Sequence, residues 1–184
     1  MDTTTLIIIA ALVVVILYVW SVYNGLATGK VRIKEALSGI DVQLKRRVDL
    51  IPNLIETVKG YAKHEKAIFE DVTKARANLM KAESPQEKAQ SNNMLSSALK
   101  SILAIAENYP DLKASKNFEE LQEELSDTEN KIAYSRQFYN GNVRDYNTTL
   151  VNFPSGQIGK MFGFKEEEFF ETEGDEKKPV KVSF

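Results

Sequence analysis

His64 followed by Glu65 is the one place in this sequence where an imidazole stands beside a carboxylate, because the chain has a single histidine. A zinc-protease helix needs a second histidine three positions after the glutamate, so that two imidazoles share a face; Ile68 stands there instead. The Glu-x-x-His motif of carboxylate-bridged metal bundles fails in the same way, with Tyr61 three residues before His64. There is no cysteine, which removes disulfides, thiolate metal sites, a cysteine nucleophile and lipid attachment through a lipobox cysteine. Gly156, Gly159 and Gly163 follow no strand and form neither GxGxxG nor a P-loop. No serine or threonine sits in a nucleophile elbow. The expectation is a protein without catalytic residues, cofactor, metal or small-molecule substrate.

Two clusters of polar side chains are more informative. Arg46, Arg47, Asp49, Asn53 and Glu56 form the first; Glu129, Asn130, Arg136, Asn140, Arg144 and Asn147 form the second. On helices, such groups either pair across a core and fix helix register or face outward as a binding surface. In the second case Tyr134, Phe138, Tyr139 and Tyr146 would supply aromatic anchors for a protein partner. Helix rotation decides between the two, and register-fixing is the favoured reading. Asn147-Thr148-Thr149 matches a glycosylation sequon, read here as a chance match on a cytoplasmic helix. Net charge is −2 with both signs interspersed, so no basic face suited to a phosphate backbone is present and nucleic acid is excluded as a partner.

The elements that carry these residues follow from apolar periodicity. Ile33, Leu37, Ile40, Leu44, Val48 and Ile51 step by three or four, the signature of one buried helix face. Pro52 lacks the N–H that a running helix needs, which predicts a helix boundary there and a second helix over Asn53 to Ala82. Ser84, Pro85 and Glu87 spell a helix start, predicting a third helix from Pro85 to about Asn108. Ser115 to Asn117 can cap a fourth, carrying Phe118, Leu121, Leu125, Thr128, Ile132, Ser135, Tyr139, Tyr146 and Leu150. Gln157 to Phe164 allows one amphipathic turn or two. Lys165 to Lys178 is acidic enough to be a solvated tail, which Phe169 and Phe170 could tack down.

Ahead of the first helix, Leu6 to Tyr23 runs without a charge, about 27 Å of helix against a bilayer core of roughly 30 Å. Tyr18, Trp20 and Tyr23 crowd its exit, where amphipathic rings favour the headgroup level. A cleaved signal peptide would carry a basic start, and only Asp2 is charged before Leu6, so the run reads as an uncleaved anchor. Lys30, Arg32, Lys34, Lys45, Arg46 and Arg47 follow the span and no Lys or Arg precedes it, which puts the N-terminus outside and the remainder in the cytoplasm. Ser21, Gly25 and Gly29, spaced by four, offer either a helix-association face or a flexible joint, and the joint is preferred.

The domain reading is therefore a short segment 1–5, a transmembrane helix 6–23, a joint 24–29, a bundle 30–153, and a short amphipathic segment with a partly disordered acidic tail over 154–184. The fold class is all-α: one transmembrane helix followed by an antiparallel, up-and-down four-helix bundle of long helices.

The runs QLKRRVDLIPNLIETVKGYAKHE (Gln43 to Glu65), ENYPDLKAS (Glu107 to Ser115) and TENKIAYSRQFYNGNVRDYNTTLVNFP (Thr128 to Pro154), with Tyr23-Asn24 after the span and Phe169-Phe170 near the end, together resemble the LemA family. That resemblance implies a bacterial single-pass protein of the inner membrane with a cytoplasmic four-helix bundle, from a family without an established biochemical activity. The functional expectation is a non-catalytic scaffold, tethered to the lipid bilayer, that associates with itself or with another membrane-associated protein. The alternative is a module that senses or shapes the bilayer through Lys30 to Lys34 and Arg46-Arg47, with Gln157 to Phe164 in the interface.

Overall fold

The computed structural model describes residues Asp2–Phe170, which are helical or connecting throughout, with no strand among them. The elements are α1 (Thr3–Tyr61), α2 (Lys66–Lys81), α3 (Pro85–Asn108), α4 (Pro110–Lys113), α5 (Lys116–Val151) and α6 (Ser155–Met161). They fall into two compact units, one of residues 2–36 with 138–169 and one of residues 37–137 with Phe170. Both α1 and α5 contribute to each unit. The part of the expected acidic tail beyond Phe170 lies outside the described residues.

In the unit of residues 37–137, every helix buries the stripe that its periodicity announces. Ile40, Leu44, Val48, Ile51, Leu54 and Val58 are buried on α1, Phe69, Val72, Ala75 and Leu79 on α2, Leu95, Leu99 and Ile102 on α3, and Phe118, Leu125 and Ile132 on α5. The start of α3 is the one expected. Ser84 Oγ accepts from the Glu87 amide at 3.2 Å, and Glu87 Oε2 accepts from the Ser84 and Glu83 amides at 3.2 and 2.9 Å. These backbone hydrogen bonds hold the Glu87 carboxyl below its usual range. Its contribution to the cap is present at neutral pH and is lost as pH falls through that lowered value.

The expected boundary at Pro52 is not there. Helix α1 passes through Pro52 and ends nine residues later, at Tyr61. The reason lies on another helix. In an unbroken helix the residue at position 52 would donate its N–H to the carbonyl of Val48, and proline leaves that acceptor empty. Arg76 of α2 fills it, its Nε donating to the Val48 oxygen at 3.0 Å. The single long helix expected over Asn53 to Ala82 is corrected with it: Ala62–Glu65 breaks the chain between α1 and α2.

In the other unit, α1 begins with the apolar run Leu6 to Tyr23, in which no residue is buried and Val19 and Val22 are half-buried. Further along, Leu26, Ile33 and Ala36 are buried, as are Tyr139, Val143, Tyr146 and Leu150 of α5. The expected joint at 24–29 is helical. Gly29 is closed by Tyr146, whose Cδ2 lies 3.1 Å from where a Cβ would stand; Ser21 and Gly25 remain exposed. Helix α6 is held close to α5, because a Cβ on Gly156 would meet the Leu150 carbonyl oxygen at 2.3 Å and one on Gly159 would meet Leu150 Cδ2 at 2.5 Å. Glycine is required at both positions by that approach.

The Pro52 arrangement makes a quantitative prediction. Arg76→Met keeps an apolar stem but removes the donor, and should cost about 1 kcal/mol, the usual net worth of a hydrogen bond, since this one is only partly buried. In a Pro52→Ala background, where a restored N–H reaches Val48, the same change should cost well under half as much. Denaturant unfolding of the four variants of this cycle measures it, and an equal cost in both backgrounds would contradict the account.

Candidate functional site

The first polar cluster divides by helix rotation. Arg47 points inward and is 2% exposed, while Arg46, Asp49, Asn53 and Glu56 are exposed. The Arg47 guanidinium donates through Nη1 to Asn92 Oδ1 of α3 at 2.9 Å and places Nη2 3.7 Å from Glu129 Oε2 of α5. One side chain therefore ties α1 to two other helices. Asn92 is itself buried. Burial pushes the Arg47 pKa down and Glu129 partly offsets this; the group stays a cation, since its ordinary value lies so far above neutrality.

Its neighbour Arg46 reaches outward to the same helix, with Nη1 3.4 Å from Asp127 and Nη2 4.0 Å from Glu124. Asp127 is held below its ordinary value, first by the hydrogen bond from Lys131 at 2.7 Å and then by the charges of Lys131 and Arg46. Asp49 pairs with Lys45 along α1 at 3.0 Å. On α5, Asn130 is exposed, Arg144 pairs with its neighbour Asp145 at 3.1 Å, and Asn140 is half-buried. Arg136 lies over the buried ring of Phe170, 5.5 Å from its centroid. Arg47 and Glu129 thus meet between α1 and α5.

Asn92, Thr128 and Asn147 carry more than the sequence reading gave them. Asn92 falls on the apolar stripe of α3, three positions after Ala89 and three before Leu95, both buried. A polar residue at a core position is a signal that periodicity alone could have flagged. Thr128 is fully buried and donates to the Leu125 carbonyl at 2.8 Å. Asn147 is half-buried. Its amide donates to the Glu167 carbonyl and accepts from the Glu167 N–H, both at 2.9 Å, as a neighbouring strand would.

That pair of bonds fixes the residues after α6 along α5. Lys30 of α1 adds a contact to the Glu167 carboxylate at 3.4 Å, and the Tyr139 hydroxyl donates to the Glu168 carbonyl at 2.8 Å. Burial, with the charges of Glu167 and Glu168, pushes the Tyr139 phenol up to about 12, so the donor keeps its proton across the physiological range. The start of the acidic segment is thus strapped down by backbone recognition as well as by an aromatic residue.

His64 is exposed in the break between α1 and α2. Among the described residues, no group of three or more His, Cys, Asp or Glu is placed to hold a metal. A groove of about 690 Å³ beside this break is lined by Lys59, Lys63, Lys66 and Lys74 with Phe69 and Glu70. What the polar residues do here is hold helices and a strap in place.

Comparison with known proteins agrees with the motifs. The profile of the LemA family matches residues 36–184. The magnetosome protein MamQ of Magnetospirillum gryphiswaldense is 23% identical over 174 residues, which cover 80% of this chain and 64% of that protein. Magnetosome proteins MamQ 1 and MamQ 2 of Paramagnetospirillum magneticum are each 23% identical over 175 residues, or 81% of this chain and 64% of theirs. The chain thus matches somewhat less than two thirds of the length of these relatives. With a profile match over most of its length and the family's runs on α1 and α5, the chain belongs to the LemA family.

Proposed function

We propose that this protein is a non-catalytic, single-pass membrane scaffold: α1 crosses the bilayer with its N-terminus outside, and the rest presents an antiparallel four-helix bundle in the cytoplasm for association with itself or another protein. The observation that carries the reading is the apolar run of α1. No residue from Leu6 to Tyr23 is buried by the chain, although Phe162 and Phe164 pack on Tyr23, yet the same helix goes on to bury Leu26 and Ile33. A run of that length and hydropathy left in water would be a large exposed apolar surface, and a bilayer removes the conflict.

The basic residues support this reading over the bilayer-sensing alternative. Lys30 faces Glu167, Arg46 faces Asp127 and Glu124, and Arg47 is buried against Asn92. These three have partners within the chain, whereas Arg32 and Lys34 of the same basic segment are exposed. The buried Arg47 serves the bundle by fixing register between α1, α3 and α5, a role buried polar groups can have.

Orientation is tested with single cysteines, which the chain otherwise lacks. Thr4→Cys should react with a membrane-impermeant maleimide in intact cells, and Lys113→Cys only after permeabilisation; the opposite pattern overturns the topology. Crosslinking of the full chain in native membranes should trap a dimer or a discrete protein adduct, and the absence of either would remove the scaffold reading. The register role predicts an order of stabilities. Asn92→Ala, which strips the buried guanidinium of its amide acceptor, should cost about 2 kcal/mol. Glu129→Gln should cost under about 1 kcal/mol, because that carboxylate is largely exposed and screened. Chemical unfolding in detergent compares them, and the reverse order would refute the role.

A further inference from the structure

The turn and short helix that follow α5 carry large apolar side chains on their outer side. Val151 is 72% exposed, Phe153 83%, Met161 82% and Phe162 49%. Their neighbours Gly156 and Gly159 are buried against Leu150 and Leu26, so α6 has one packed side, and its exposed side carries Gln157, Lys160 and Met161. Between Val151 and Phe164 the sole charged residue is Lys160, a cation.

The position of this apolar side matters more than its size. The Phe162 ring packs edge-on against Tyr23 with centroids 5.2 Å apart, and Phe164 does the same at 5.6 Å. Tyr23 ends the uncharged run of α1. Phe162 also closes an apolar groove of about 410 Å³ with Val15, Ile16, Val19, Trp20 and Tyr23. Phe162 therefore joins residues 151–162 to the surface assigned to lipid, at the end where aromatic rings favour the headgroup level.

We propose that residues 151–162 form an interfacial foot, a second contact with the bilayer beside the exit of α1. Phe153, Met161 and Phe162 enter the boundary between headgroups and acyl chains, and Lys160 sits among anionic phosphates. The partner is a lipid surface, chosen over a protein because Phe162 packs directly on the end of the span. The foot sets the depth at which α1 leaves the membrane and stops its rotation there, since Gly156 and Gly159 couple α6 closely to Leu150 and Leu26. This inference rests on the reading of α1 as a membrane span.

The test uses the full chain reconstituted in vesicles of phosphatidylcholine with phosphatidylglycerol. An environment-sensitive fluorophore is placed at Phe153→Cys, Met161→Cys or Phe138→Cys, one per protein. The first two positions are more than four-fifths exposed, so the label leaves the core untouched. Phe138 is an exposed aromatic residue of the same unit, about 20 Å away along α5, and serves as control. Trp20, the single tryptophan, reports the span by its own fluorescence. Lipids with a spin label high on the acyl chain are the quencher for the fluorophores, and lipids labelled deeper are the quencher for Trp20.

The expected result is quenching of Trp20, blue-shifted emission with quenching at positions 153 and 161, and neither change at 138. Quenched Trp20 with labels at 153 and 161 as water-exposed as at 138 overturns the foot and leaves the span standing. Blue-shifted labels that lipid quenchers do not reach overturn it in favour of a protein covering the patch. Unquenched Trp20 overturns the span, and the foot with it.

Discussion

Proline at position 52 leaves the carbonyl of Val48 without its helical donor, and the guanidinium of Arg76 supplies one from α2. That bond lets α1 remain a helix from Thr3 to Tyr61. Its consequences spread through the unit in which it lies. With α1 unbroken, Ile51, Leu54, Ile55 and Val58 continue the stripe of Ile40, Leu44 and Val48, and α2 is placed against the residues that follow the proline. A helix ending at Pro52 would have needed its own turn and caps, and Arg76 would have had no backbone acceptor to meet. A local defect and a distant arginine are thus parts of one arrangement, which is a way for a sequence to specify how two helices sit together.

The other polar contacts follow the same logic of a charged or amide group placed where backbone or core would otherwise be ambiguous. Arg47 joins α1 to Asn92 and Glu129, and a slip of either partner helix by one turn would strand a buried cation. Asn147 reads the backbone of Glu167 rather than its side chain, so the strap after α6 is held whatever its acidic side chains do. Phe170 then buries its ring under Arg136. In each unit these groups serve positioning. The apolar run of α1 and the exposed side chains around α6 are among the apolar groups turned outward.

Much of the helix map was legible because its signals are local. The apolar stripes, the Ser84–Pro85–Glu87 start and the beginning of α5 near Lys116 need only neighbouring residues to be understood. Pro52 was misread because its local meaning, a missing donor, is answered by Arg76 from 24 positions away. The break at Ala62–Glu65 was missed for the converse reason: no proline stands there, and Tyr61, Ala62 and Ile68 allow an apolar pattern to be drawn across it. Among the polar clusters, residue type suggested pairing and periodicity could have placed Asn92 in the core. Nothing local could show that Asn147 recognises a backbone twenty residues further on, since that needs α6 to fold back along α5.

The central claim is that α1 is one helix across Pro52, and a distance measures it. With spin labels on Val42→Cys and Tyr61→Cys, both exposed and both on α1 within one unit, nineteen residues at about 1.5 Å each place the labelled backbone positions about 28 Å apart. Pulsed dipolar spectroscopy of the full chain in vesicles should give a single narrow distribution near that value. A broad distribution, or one centred well below it, would mean that the helix ends at the proline and would contradict the account.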